Sequence, residues 1–123
     1  MISHARAEAP DECCGILAGV GSRVLKLYQT TNAEHSPDRF SIEPRQLIAI
    51  YQEVQRNRRE LLGIYHSHTH SEAYPSPTDI KSAVLSEPVY FIISLADPLQ
   101  PVLRTFRIVE GKVTEIRLKI IET

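Results

Sequence analysis

The chain has 123 residues, 42% of them hydrophobic and 24% charged, and a formal net charge of −1 at pH 7. That composition predicts a single domain over residues 1–123, with about two-thirds of its unfolded surface buried. The longest apolar stretch, Val89 to Ala96, is far too short to span a bilayer, and residues 1–9 do not have the make-up of a cleavable leader. The near-zero charge argues against nucleic-acid binding, and the Arg56, Arg58, Arg59 cluster reads as a solvated helix face. Adjacent Cys13 and Cys14 do not form a disulfide framework, which predicts reduced thiols and a cytoplasmic protein.

In chain order, residues 1–9 read as the end of a helix stopped by Pro10. Cys13 to Ala18 is a short apolar strand, and Arg23 to Thr30 is a second. Residues 32–39, polar and proline-containing, read as a loop. From Pro44 to Leu61, the apolar positions Leu47, Tyr51, Val54 and Leu61 keep to one helical stripe. Leu62 to His66 reads as a strand, followed by a polar loop to Pro75. Ser76 to Leu85 opens with Ser, Pro and then Asp, the start signal of a short helix. Val89 to Leu95 has the β-branched and aromatic content of a buried strand. Val102–Val109 and Val113–Ile121 alternate as a hairpin through Glu110-Gly111-Lys112. The fold class is α/β: a mixed sheet flanked by helices.

Chemistry concentrates in residues 65–79, Y-H-S-H-T-H-S-E-A-Y-P-S-P-T-D. On an extended segment the period of two points His66 and His68 to the same side, so both imidazoles can reach one metal. Ser67 then faces the opposite side and reads as structural. Three residues compete as the third ligand. His70 continues the alternation. Glu72 completes the first half of a cupin-like box, although no histidine follows His70 to finish it. Asp79 also has an ordinary role, because Ser76-Pro-Thr-Asp79 is a good capping box. Spacing alone leaves Asp79 and His70 equally placed.

The run His66-Ser67-His68, seven residues, Ser76, two residues, Asp79 resembles the H-S-H-x7-S-x2-D signature of the JAMM (MPN+) metalloproteases. Gly63-Ile64-Tyr65 and Pro75-Ser76-Pro77-Thr78-Asp79-Ile80 look like the family too, and so does the element order. Local wording is closest to bacterial stand-alone members that act on sulfur-carrier proteins. Thr69 departs from the proline usual in eukaryotic members. The resemblance implies an MPN (JAB/cytidine-deaminase-like) fold and one Zn²⁺ per chain, held by His66, His68 and Asp79. It also selects Glu12, in the context Pro10-Asp11-Glu12-Cys13-Cys14-Gly15, as the general base, a residue that spacing does not pick out. Ser76 is implied as the donor that stabilises the oxyanion, and His70 as a group outside the ligand set.

The implied reaction is hydrolysis of an amide or isopeptide bond. Only ten residues separate Asp79 from Tyr90, leaving no room for the insertions that polyubiquitin-cleaving members use. The expected partner is therefore the C-terminal Gly-Gly tail of a ubiquitin-like β-grasp sulfur carrier, from which cysteine is released or the tail trimmed. The alternatives are a deubiquitinase-like isopeptidase and a non-catalytic MPN scaffold. Neither nucleic acid nor membrane is expected as a partner. The terminal strand Val113–Ile121 either forms a homodimer interface or completes the sheet.

Overall fold

A computed structural model describes residues 1–83 and 87–118. Its elements are α1 (Ile2–Glu8), β1 (Cys14–Val20), β2 (Arg23–Thr30), α2 (Pro44–Arg56), β3 (Glu60–His68), α3 (Pro77–Ser82), β4 (Val89–Ser94), β5 (Val102–Val109) and β6 (Lys112–Ile116). The strands form one sheet in the order β2-β1-β3-β4-β5-β6. Only β3 and β4 run parallel, with α3 in the crossover between them. The mixed sheet and the order of elements agree with the sequence reading.

Alternation along the strands gives the sheet two different faces. One carries Cys13, Leu17, Tyr65, Phe91 and Ile93, covered by Ala5 of α1. Tyr65 is fully buried; its ring fills the space above Gly15, where a Cβ would collide with it, and its hydroxyl meets His4 Nδ1 at 2.8 Å. The other face packs Ile16 and Ala18 under Ile50 and Val54 of α2. Further along this second face Ile92, Phe106 and Ala73 make a smaller cluster.

Several boundaries differ from the sequence reading. The helix predicted to reach Leu61 ends at Arg56, with Asn57 as its cap and Arg58 in the left-handed region at φ 54°. Leu61 still meets the Ile50 and Val54 cluster, but from β3. That is why the apolar spacing runs past the end of the helix. The strand predicted over Leu62–His66 spans Glu60–His68, so both histidines are strand residues. The helix predicted over Ser76–Leu85 starts at Pro77 and closes at Ser82, and Leu85 lies outside the described residues. At the end of the chain the hairpin forms as expected. Glu110 (φ 50°) and Gly111 (φ 79°) make its two-residue turn. β6 ends at Ile116, and residues 119–121 of the predicted strand lie outside the described residues.

Candidate active site

β1 and β3 build the site. Cys14 pairs with His66, and the Ser67 N–H donates to the Cys13 carbonyl at 3.2 Å. The Ser67 hydroxyl accepts from the Cys13 N–H at 2.8 Å, so Ser67 fixes the register from the opposite face. Glu12 stands just ahead of β1, two residues before the Cys14 that pairs with His66. It is buried, and its carboxyl feels the charges of His68 and Asp79, which puts it beside the two histidines.

Asp79 arrives from the first turn of α3. Ser76 caps that helix: its hydroxyl accepts from the Asp79 N–H at 3.1 Å, and Asp79 Oδ2 accepts from the Ser76 N–H at 2.9 Å. The capping box is therefore complete, and the same oxygen turns to the histidines. Asp79 Oδ2 lies 3.1 Å from His66 Nε2 and 2.9 Å from His68 Nε2, and the two Nε2 atoms are 3.2 Å apart. All three residues are buried. The two roles that seem to compete in the sequence belong to one side chain.

His70 and the Glu72 side chain are exposed and stand outside this group. Glu72 contributes through its backbone instead, its carbonyl accepting from His68 Nδ1 at 2.8 Å. With its Nδ1 hydrogen given to that carbonyl, a neutral His68 presents Nε2 as the free donor that a metal ligand needs. Two imidazole nitrogens and a carboxylate oxygen thus converge on one point, an arrangement that a metal ion can bridge. Four ligands at zinc's usual bond lengths stand about 3.3 Å apart. The observed triangle of 2.9 to 3.2 Å is close to one face of that tetrahedron. The donor set fits a metal ion.

The electrostatics agree. Burial lowers the pKa of His66. For His68 burial acts the same way, but hydrogen bonds to Asp79 and the Glu72 carbonyl outweigh it and the net shift is upward. Burial would raise Asp79, yet its contacts with both histidines hold it well below the usual carboxylate range. Burial pushes Glu12 up to about 8, and its carboxyl feels the charges of His68 and Asp79. A buried carboxyl beside a cation site is a group that can take and return a proton near neutrality.

The burial of Glu12 has a measurable cost. Without a metal beside it the folded state holds this proton up to about pH 8, whereas the ordinary value is 4.5. Stability from this group is therefore complete below about 4.5 and is lost as pH rises toward 8. After chelator treatment, Glu12→Gln should be more stable than wild type at pH 8 by about 2 kcal/mol or more, with the two converging near pH 4. Urea denaturation at both pH values checks this.

Both cysteines are buried and free. Cys13 faces α1 and Cys14 faces the other way, where its Sγ meets Thr30 Oγ1 at 3.2 Å. Burial pushes the Cys14 thiol up to about 11, which makes it a poor nucleophile.

Phe40 is a residue that sequence reasoning missed. Its ring stacks on His66 with centroids 4.4 Å apart and planes at 20°. Together with His66, Asp79, Tyr90 and Ile92 it lines a small, mostly apolar pocket beside the ligand group. Its only trace in the sequence is an aromatic in an otherwise polar stretch.

Two imidazoles on a mixed sheet, a carboxylate from the helix beside them and a buried glutamate close by define a metal-dependent hydrolase of the JAB type. The chain matches the family described as prokaryotic homologs of the JAB domain over residues 1–109, and it belongs to that family. It is 39% identical over 124 residues to the CysO-cysteine peptidase of Mycobacterium tuberculosis H37Rv, covering 99% of this chain and 85% of that one. It is 32% identical over 101 residues to the desampylase of Haloferax volcanii, covering 76% of this chain and 73% of that one. Among solved structures, the solution structure of DSY2949 from Desulfitobacterium hafniense matches with a TM-score of 0.90 and 35% identity. That match covers 100% of this chain and 87% of the other. No helix among the described residues is long and apolar enough to cross a membrane.

Proposed function

We propose that residues 1–123 form one JAMM-type catalytic domain, a cytoplasmic zinc peptidase that cleaves the amide bond after the C-terminal Gly-Gly of a ubiquitin-like sulfur carrier. The observation that carries this reading is the convergence of His66, His68 and Asp79 on one point, beside the buried Glu12. The similarity to a CysO-cysteine peptidase over nearly the whole chain supports cysteine as the released group. Two imidazole nitrogens and a carboxylate oxygen favour zinc over harder cations, and three protein ligands are the number typical of a catalytic site.

Bound zinc supplies Lewis acidity, which acidifies water to a pKa of about 7 and polarises a carbonyl. Glu12 accepts the proton of the attacking water and returns it to the leaving amine. The Ser76 oxygen already accepts from the Asp79 N–H, so its own proton is left to donate to the developing oxyanion. His66 and His68 are held in place by the β3 backbone, and His68 also by the Glu72 carbonyl. The outer edge of β6 has no neighbouring strand among the described residues, and a homodimer would pair there.

Ser76→Ala separates two roles. As an oxyanion donor, Ser76 should cost kcat on the order of 10²-fold when removed, with metal content unchanged. A loss of only about 1 kcal/mol in thermal stability at full kcat would reduce Ser76 to a helix cap.

The function itself is tested by intact-mass analysis of a β-grasp carrier extended by cysteine after its Gly-Gly, incubated with the zinc-loaded protein. Loss of the cysteine mass is expected. An unchanged carrier at one zinc per chain would overturn the carrier substrate, and an unchanged carrier with no zinc bound would overturn the enzyme reading as well.

A further inference from the structure

Asn32 follows β2, and its side chain is buried and makes four hydrogen bonds to backbone groups. Nδ2 donates to the Glu12 carbonyl at 3.1 Å and to the Arg39 carbonyl at 3.0 Å. Oδ1 accepts from the Glu34 N–H at 3.0 Å and from the Ser41 N–H at 3.1 Å. Two carbonyls on one side and two N–H groups on the other use the full capacity of a primary amide and fix its orientation. A carboxylate of the same shape can serve only the N–H pair.

Glu12 is held a second time by the same loop, its N–H donating to the Ser36 carbonyl at 2.9 Å. Both backbone groups of Glu12 are thus tied to residues 32–36, just where its own strand has not yet begun. The loop also delivers Phe40 onto His66. The Glu12 side chain needs such an anchor, because its Oε1 is buried with no hydrogen-bond partner of its own.

We propose that Asn32 is a positioning residue, whose carboxamide clamps the Glu12 backbone and so aims the catalytic carboxyl at the metal ligands. This rests on the reading of Glu12 as the general base. The clamp's two halves have separate duties. The oxygen shapes the loop from Glu34 to Ser41, and the nitrogen joins that loop to Glu12.

Asn32→Asp tests the nitrogen alone. It keeps the acceptor and sets a carboxylate oxygen against two carbonyls. Asn32→Ser, a smaller neutral change, serves as the second variant. Amide hydrogen exchange is read first, because it does not depend on any substrate. Exchange at Glu12 should accelerate at least about tenfold, while Ile16 and Ile64 in the centre of the β1–β3 pair keep their protection. With the carrier substrate, kcat should fall about 10- to 100-fold at unchanged KM and one zinc per chain. In a Glu12→Gln background the same change should cost nothing further.

Uniform acceleration of exchange in both variants would make Asn32 a general stability residue and overturn the proposal. Wild-type exchange at Glu12, or equal losses with and without Glu12, would overturn it too. Should the wild-type protein bind zinc and leave every carrier intact, the function proposed above fails. The exchange at Glu12 then decides the clamp by itself.

Discussion

Glu12→Gln should bind zinc as the wild type does and lose turnover by about 10²- to 10⁴-fold, the usual contribution of a general base. The amide is nearly isosteric with the carboxyl but cannot accept the water's proton. Retained metal is expected because Glu12 lies outside the group formed by His66, His68 and Asp79. Metal analysis on the purified variant, alongside carrier cleavage followed by mass, reads both quantities. A variant that keeps more than a tenth of the rate would move the base elsewhere. Among the described residues the other buried carboxylate is Asp79, and it is bound to both histidines.

Asp79→Ala should do the reverse and remove the metal. Altering a residue that merely orients a ligand weakens binding about 10- to 100-fold, so loss of the ligand itself should exceed that. The change also breaks the capping box, with a further loss on the order of 1 kcal/mol. Asp79→Asn divides the two effects, because its amide oxygen still caps while its charge is gone. Metal titration should show both variants impaired, and denaturation should show only the alanine variant lacking the cap. Near-normal zinc affinity in both would return His70 to contention as the third ligand.

Much of this site is legible in residues 65–79, because two of its constraints are local. A period of two puts His66 and His68 on one side, and a helix start lies within reach of them. The sequence cannot show that the cap and the ligand are one carboxylate, since nothing in Ser-Pro-Thr-Asp says where its second contact goes. Glu12 is illegible for a different reason. It is carried beside the histidines by the antiparallel pairing of β1 with β3, more than fifty residues away, and no spacing encodes that register. Only resemblance to a known family brings it forward. Residues 32–39 read as a plain loop, and the duties of Asn32 and of Phe40 just beyond it appear only once the chain returns over Glu12. The overlong α2 is a pattern error of another kind. Leu61 reaches the same apolar cluster from β3, and neither glycine nor proline marks the break at Arg58.

The atoms proposed as ligands all belong to one short stretch of chain, whereas the proposed base enters from just ahead of β1, the other partner of a long-range pair. If these roles hold, a preparation that is fully metallated would still be dead once β1 has frayed from β3 or its leading residues have been clipped. On the proposed mechanism, a full complement of metal would report on the 66–79 segment and on nothing upstream of it. For this protein, batch quality has to be judged by turnover.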